Sequence, residues 1–299
     1  MKQLSPIQQT VLIIALVFLW GLSFPINKMV LQYTPPMLFA GMRTLAGGVL
    51  LVLLLIRKMS QIQWKQNWLI YIISALLNVV LFFGLQTFGL KLMSSGLFSV
   101  LVYLQPVLVA LFAWIWLGEN MSLYKAIGLV LGIAGVAVIS MRGETGPISA
   151  IGVLLGIGTS ISWALGTVYV KKVSALINVM WLAALQCMIG GLILIILGFL
   201  LEPWSAIQWN PIYWAGMGYS SILGVTGSWI LYFSLVNSGE AGVVTSYTFL
   251  VPIVSVLAGM AFLHESFTFY LLLGLLLIGT SIYLVNLKPK SAMHMKSEL

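Results

Sequence analysis

The stretches PVLVALFAWIWLGE (106–119) and PIVSVLAGMAFLHE (252–265) share one layout. Each begins at a proline, continues through residues that include no acid, lysine or arginine, and reaches a glutamate thirteen positions later. Apolar runs of about 20 residues are typical of helices that cross a membrane, and both stretches lie in such runs. The duplicated layout therefore predicts an integral membrane protein built from two similar halves.

Composition places most of the chain in lipid. Of its 299 residues, 61% are hydrophobic and only 7% are charged, and the mean hydropathy is +1.09. A soluble domain usually has about a quarter of its residues charged, because water must wet its surface. The lipid bilayer is thus the expected solvent for most of this protein.

Ten apolar runs are separated by short polar breaks, which predicts an all-α integral membrane protein with ten transmembrane helices. None of the breaks is long enough to fold as a separate domain. The predicted spans are 9–31, 36–56, 68–90, 94–117, 123–141, 150–170, 178–201, 211–235, 242–263 and 267–285.

The positive charges predict the orientation of these spans. The net charge is +8, but the basic residues lie between apolar runs and form no stripe, which argues against a nucleic-acid partner. With the N-terminus inside, ten Lys and Arg fall in inside loops and tails and three at outside ends. Because cytoplasmic loops carry the excess of Lys and Arg, both termini are expected on the cytoplasmic side of the cytoplasmic membrane.

An internal repeat relates the two halves. Trp20 precedes Lys28 by eight residues, as Trp163 precedes Lys171, and the two pairs lie 143 positions apart. The two proline–glutamate stretches lie 146 positions apart. This predicts one repeat over 9–141, a second over 150–285, and a cytoplasmic tail over 286–299. Five spans in each half make the second half inverted, an architecture typical of transporters.

Several segments carry a family resemblance. LGENMSLYKAIGLVLGIAGV (117–136) and LHESFTFYLLLG (263–274) resemble the signature that ends each half of EamA-domain transporters, in the drug/metabolite transporter superfamily. WGLSFPINK (20–28) and PPMLFAGMR (35–43) are similar to that family's first two spans, although His264 stands where the first copy has Gly118. The resemblance implies a ten-helix secondary transporter with a central cavity that moves small metabolites, often coupled to protons.

Polar and aromatic residues inside the spans are the candidates for lining such a cavity, because polar groups in lipid need a partner. Many recur at a spacing of four, which keeps them on one helix face. For the serines and threonines, a bond back to their own helix is the alternative interpretation. The predicted substrate-binding residues are Trp20, Asn27, Asn78, Phe82, Gln86, Ser99, Tyr103, Trp163, Thr167, Ser228, Trp229, Tyr232, Thr245 and Thr248.

Two prolines and three charged residues are further candidates. Pro106 and Pro252 occupy matching positions in the two halves, so they are predicted hinges, with a simple packing kink as the alternative. Arg43 lies inside a span, where it either anchors the structure or contacts a substrate carboxylate. Glu119 and Glu265 either couple protons or stabilise the start of the following helix through its dipole.

Function classes other than a secondary transporter lack a sequence signal. The chain has no ATP-binding loop of the GxxxxGK[ST] type, no Asp, and two His that both lie outside the spans. We therefore expect no cofactor, metal or catalytic site, and a monomer. None of the six acids is mid-span, which argues against a lipophilic-cation antiporter and favours a neutral or zwitterionic small-molecule substrate, amino acid-like or nucleoside-like. The expected transport is outward, with protons as the candidate coupling ion. A channel or an intramembrane enzyme remains the alternative.

Overall fold

The structure is a computed structural model that describes residues 5–141, 149–237, 247 and 250–287. The described residues contain helices and no strand. The helices are α1 (Pro6–Val30), α2 (Pro36–Leu55), α3 (Trp64–Ala75), α4 (Phe82–Leu92), α5 (Ser95–Val102), α6 (Gln105–Leu117), α7 (Leu123–Ser140), α8 (Ala150–Val173), α9 (Val179–Leu201), α10 (Pro211–Gly218), α11 (Ser228–Asn237), α12 (Leu250–Leu263) and α13 (Phe269–Asn286).

Eight helical runs are long and apolar enough to cross a membrane, and each coincides with a predicted span. The predicted span 211–235 corresponds to a helical run over 211–237. The span 242–263 is represented by α12, and its first residues lie outside the described part of the chain. An all-helical membrane fold is confirmed, while the count of ten helices stays a prediction.

The outer surface of the helical bundle is apolar. Large side chains such as Leu200 (75% exposed), Phe269 (70%) and Val130 (65%) point away from the protein. In the same molecule Asn27, Arg43 and Gln186 are at most 3% exposed. A water-soluble protein rarely exposes continuous apolar surface of this kind, so the pattern indicates a lipid-facing exterior.

The short breaks between spans supply the helix starts. Side-chain oxygens at these positions accept hydrogen bonds from the first free backbone N–H groups of the helix that follows, which no helical carbonyl can reach. These N-caps are Ser5, Ser122, Ser149, Asn178, Asn210 and Thr268. The helices α2 and α5 have no such side-chain cap at their own N-cap residue. Glutamates from the second half of the chain accept hydrogen bonds from their first N–H groups instead.

Helix pairs that join the two halves hold the bundle together. α2 packs along α9, α7 along α13, α1 against α12, and α5 and α6 against α8. Small residues allow the close approach: a Cβ at Gly191 would lie 2.5 Å from the backbone nitrogen of Leu45, and one at Gly274 would lie 2.1 Å from Cγ1 of Ile139. Such small-residue contacts are the usual way in which membrane helices approach one another.

Two helices carry a π-helical stretch, and one span is broken. The π-helical residues Leu76–Leu81 join α3 to α4, and Tyr219–Gly227 join α10 to α11. These stretches begin 143 positions apart, the spacing at which Trp20 and Trp163 recur. The span 95–117 breaks at Tyr103–Leu104, between α5 and α6. Wide turns and broken helices in membrane proteins frequently mark functional regions.

Candidate functional site

An aromatic cluster fills the centre of the bundle around Trp163 on α8. The Trp163 ring lies 5.1 Å from Phe82 on α4, 5.6 Å from Tyr103 beyond α5, and 6.3 Å from Trp20 on α1, measured between centroids. The contacts with Trp20 and Tyr103 are edge-to-face, with interplanar angles of 89° and 88°. Edge-to-face packing places the positive ring edge on a negative ring face and holds the rings in place.

The cluster continues onto a fifth helical run. Tyr232 on α11 lies 6.1 Å from Trp20, and Trp229 lies 6.0 Å from Tyr232. Phe24 extends it along α1, 6.2 Å from Tyr103. Six predicted binding residues are thereby brought together from both halves of the chain: Trp20, Phe82, Tyr103, Trp163, Trp229 and Tyr232.

Pro106 explains why the span 95–117 breaks beside this cluster. Proline has no N–H, so it cannot bond the carbonyl of Val102 four residues earlier, and α6 begins at Gln105 with Pro106 in its first turn. The chain turns at Tyr103 and Leu104, which places the phenol of Tyr103 against Trp163. Pro252, its counterpart, lies near the described start of α12.

Asn78 lies in the first π-helical stretch and is enclosed by polar and small residues. Its amide nitrogen donates to Ser74 Oγ (3.1 Å) and to Gln186 Oε1 (3.3 Å). Ser74 also donates to Gln186 at 2.6 Å. The amide oxygen of Asn78 occupies the space where a Cβ at Gly166 would lie, at 2.1 Å. Asn78 therefore joins α8 and α9 rather than facing Trp163.

Gln86 is the hydrogen-bond partner of Arg43. The Arg43 side chain donates to Gln86 Oε1 at 2.9 Å, and its guanidinium lies over the Phe83 and Phe39 rings, 4.5 and 5.2 Å from their centroids. Phe83 in turn contacts Phe82, so the buried charge lies one ring away from the aromatic cluster. No acid in the described part of the chain pairs with Arg43.

Two buried donors in the described residues have no hydrogen-bond partner. These are Nε of Arg43 and Oγ of Ser160, which lies three residues before Trp163 on α8. A buried polar atom normally has a partner, since leaving it unpaired costs about 1–3 kcal/mol. Ser160 lies on the helix of Trp163, and Arg43 is separated from the cluster by the Phe83 ring, so both unpaired atoms are on residues close to the cluster.

The remaining predicted residues have local partners. Asn27 accepts from Ser220 Oγ at 2.7 Å, and Thr167 accepts from Gln105 Nε2 at 3.0 Å. Ser99 and Ser228 donate to carbonyls of their own helical runs, those of Gly96 and Leu223. Thr245 and Thr248 lie outside the described residues.

A charged cluster closes one end of the bundle. Glu265, 9% exposed, pairs with Lys28 at 3.0 Å, and Lys28 also donates to the carbonyl of Met93 at 2.8 Å. The same carboxylate accepts from Ser95 N (2.6 Å), Ser95 Oγ (2.8 Å) and Gly96 N (3.2 Å). Glu265 thus supplies the missing cap of α5, and not a cap of the following α13, which Thr268 provides.

Glu202 caps the N-terminus of α2 in the same way. Its carboxylate accepts from the backbone N–H groups of Met37 and Leu38 at 2.9 and 3.0 Å. The helices α2 and α5 therefore each begin on a glutamate of the second half, where a negative charge meets the positive end of the helix dipole. Sequence reasoning missed Glu202 because nothing in the pattern links it to residues more than 160 positions earlier.

The second charged cluster is more open. Glu119 bonds Lys171 and lies 3.8 Å from Lys125, with side chains 33%, 58% and 23% exposed respectively. The hydrogen bond from Lys171 lowers the pKa of Glu119, with a further contribution from the Lys125 charge. No helix N-terminus within the described ranges meets this carboxylate.

Several residues of the site escaped sequence reasoning. Gln105, Ser74 and Ser220 are polar partners of predicted residues. Gln105 and Ser74 have apolar neighbours or proline on both sides in the sequence, and Ser220 lies beside Ser221. Their polarity within predicted spans is the sequence signal that could have identified them. Groups of three or more His, Cys, Asp or Glu that could hold a metal ion do not occur in the part of the chain described. The aromatic, amide and hydroxyl groups suit the binding of a small organic molecule.

Comparisons with known proteins agree on a family. The model of the EamA-like transporter family matches residues 9–141 and 150–287. The uncharacterized transporter YvbV of Bacillus subtilis (strain 168) is 50% identical, over 97% of this chain and 95% of that protein. A WAT1-related chloroplastic protein of Arabidopsis thaliana is 30% identical, over 90% of this chain and 67% of its own length. One crystal structure with 18% identity superposes with a TM-score of 0.68, covering 99% of this chain and all of that one, which shows the fold alone.

Proposed function

Because this chain belongs to the EamA-like transporter family, we propose that it is a secondary transporter that exports a small neutral or zwitterionic metabolite, amino acid-like or nucleoside-like, by alternating access. The family makes it a multi-pass membrane transporter. The substrate class, the outward direction and proton coupling are the proposal, as is a cytoplasmic membrane location with both termini inside. A monomer suffices, since one chain supplies the whole cluster.

The observation that carries the proposal is the contact between Trp20 and Trp163. They occupy equivalent positions in the predicted repeats, and their rings meet edge to face in the bundle centre. A site at the interface of two inverted halves is where alternating access requires the substrate to sit, because both halves then move around it. The predicted repeat relates α1 to α8 and α6 to α12, so the contact of α1 with α12 corresponds to the contact of α8 with α6. Both contacts are present, which supports the repeat.

The character of the cluster supports the substrate class. Aromatic faces bind planar apolar groups and cations, while the free donors of Arg43 and Ser160 suit a carboxylate or carbonyl oxygen. All three glutamates in the described residues are bound to helix starts or lysines at the ends of spans. A substrate with a net positive charge would find no carboxylate beside Trp163 among the described residues, whereas a zwitterion would find both of its partners.

The experiment is uptake into liposomes. Purified protein would be reconstituted and tested with labelled amino acids, nucleosides and amines, with and without a pH gradient. Saturable uptake of one class that the gradient accelerates supports a proton-coupled transporter, and gradient-independent uptake supports facilitated exchange. A conductance without saturation would indicate a channel, and chemical conversion of a substrate would indicate an enzyme.

Variants test the site. We expect Trp20→Ala and Trp163→Ala to lower uptake on the order of tenfold each, the equivalent of about 1.4 kcal/mol of lost binding. Trp114→Ala is the matched control, because Trp114 is 47% exposed on α6 toward the lipid side. Equal losses in all three variants, at equal amounts of protein in the membrane, would contradict the assignment of the cluster as the substrate site.

A further inference from the structure

The two charged clusters correspond to each other under the predicted repeat. Lys28 and Lys171 lie 143 positions apart, and Glu119 and Glu265 lie 146 positions apart, the spacings of the repeat itself. In each cluster the glutamate of one half bonds the lysine of the other: Glu265 with Lys28, and Glu119 with Lys171. Both pairs therefore join the end of the first predicted span of one half to the hairpin that follows the fourth predicted span of the other half.

The clusters lie at opposite ends of the bundle. Glu265 meets the start of the span 95–117, at Ser95 and Gly96, whereas Glu119 follows the last residue of that span. At 1.5 Å per residue these ends are roughly 30 Å apart, the thickness of the hydrocarbon core. The Trp163 cluster lies between them, against Tyr103 at the break of this span.

The two pairs differ in how firmly they are closed. The carboxylate of Glu265 is 9% exposed and accepts four hydrogen bonds, and Lys28 is held by a carbonyl as well. Glu119 is 33% exposed, Lys171 is 58% exposed, and Lys125 competes for the same carboxylate. An ion pair in water contributes little, whereas one that is desolvated and hydrogen-bonded resists opening.

We propose that these pairs are the two gates of the transport cycle, and that in this conformation the Lys28–Glu265 gate is closed and the Lys171–Glu119 gate is loose. The proposal rests on the proposed function. Rocking of two inverted halves around a central site closes one end as it opens the other. In the opposite state the Glu119–Lys171 pair becomes buried and loses its contact with water, and Glu265 separates from Ser95 and Lys28.

The test measures access from water to the interior of the bundle and needs no substrate. Ser99, fully buried one turn below Ser95, becomes the probe as Ser99→Cys, in a Cys187→Ala background that removes the chain's single cysteine. A membrane-impermeant maleimide is added on the side that carries Lys28. Lys28→Met should raise the labelling rate at least about tenfold by opening the closed gate, and Lys171→Met, its repeat counterpart, should lower it.

Glu265→Gln serves as a second variant that keeps an acceptor oxygen for Ser95 and removes the charge, so that a misfolded Lys28→Met does not end the test. It should also raise labelling. Changes in the same direction for Lys28→Met and Lys171→Met, or no change in folded protein, would overturn the gates. Opposite changes with no uptake of any solute in the liposome panel would leave the gates standing and reject only the substrate class.

Discussion

The hairpins that end α6 and α12 have nearly the same backbone and very different surroundings. In the first, Glu119 N–H donates to the carbonyl of Ala113 at 3.2 Å; in the second, Glu265 N–H donates to that of Gly259 at 3.2 Å. Gly118 and His264, one residue earlier, both have positive φ, 68° and 54°. Glu119 lies against the exposed Lys171 and the partly exposed Lys125, whereas Glu265 lies at the start of α5. The same local motif therefore contributes differently to stability at the two ends.

The largest expected effect comes from removing the glutamates in turn. Glu265→Ala should destabilise the protein by about 3 kcal/mol, because it strands Lys28 and leaves the first N–H groups of α5 unbonded. Glu119→Ala should cost less than about 1 kcal/mol, since its partners remain in water. Unfolding of the purified variants in one detergent measures both. Equal losses would show that burial does not distinguish the hairpins.

Adding one methyl group inside the second hairpin should have the next largest effect. A Cβ at Gly259 would lie 2.3 Å from Oε2 of Glu265 and 2.8 Å from Oγ of Ser95. We expect Gly259→Ala to cost about 1–3 kcal/mol by displacing the carboxylate. The same substitution made together with Glu265→Ala should cost less than it does alone, because the closest clashing atom, Oε2 of Glu265, is gone. Additive costs would mean that the clash lies elsewhere.

Substitutions at the residue with positive φ should change the stability of the protein in opposite directions in the two hairpins. His264 adopts a left-handed conformation that disfavours a side chain, so His264→Gly should stabilise the protein by about 1 kcal/mol. Gly118→Ala should destabilise it by a similar amount, and no atom lies within 4 Å of the new methyl group to obscure the backbone effect. Stabilisation by Gly118→Ala in a thermal unfolding assay would contradict this account.

The smallest effect concerns pH. The pKa of Glu119 is lowered from its ordinary value of 4.5, chiefly by the hydrogen bond from Lys171. A lowered pKa in the folded state stabilises the protein above the ordinary value and loses this contribution as the pH falls through the lowered one. The unfolding temperature of the native protein should therefore decline below about pH 4.5 slightly more steeply than that of Glu119→Gln. Parallel declines would show that Lys171 contributes nothing.

The sequence was sufficient for the helices and for much of the aromatic cluster. Span limits follow from where apolar runs meet capping residues, and these limits need no long-range information. Trp20, Tyr103 and Trp163 are predicted because they belong to stripes of polar and aromatic residues on single helix faces, and the three rings lie together in the structure. Whether this environment binds the substrate stays a prediction.

The remaining contacts of the site depend on helix geometry and on long-range packing, which residue spacing alone does not predict. Asn78, Phe82 and Gln86 are spaced by four, which predicts one face of an α-helix, but residues 76–81 are π-helical. Their neighbours are accordingly Gln186, Trp163 and Arg43, on three different helices. The contact of Glu265 with Ser95 spans 170 positions, and only the packing of the two halves brings it about.

The paired π-helical stretches also have a consequence for helix phase. A π turn holds about one residue more than an α turn, and one residue corresponds to about 100° of rotation around the helix axis. Everything beyond Leu81 on one helix, and beyond Gly227 on the other, is therefore rotated relative to an uninterrupted α-helix. Phe82 and Trp229 owe their aim at the bundle centre to that rotation. Loss of a single residue from one of these π-helical stretches would leave composition and span length almost unchanged while turning the aromatic ring that follows it away from the bundle centre.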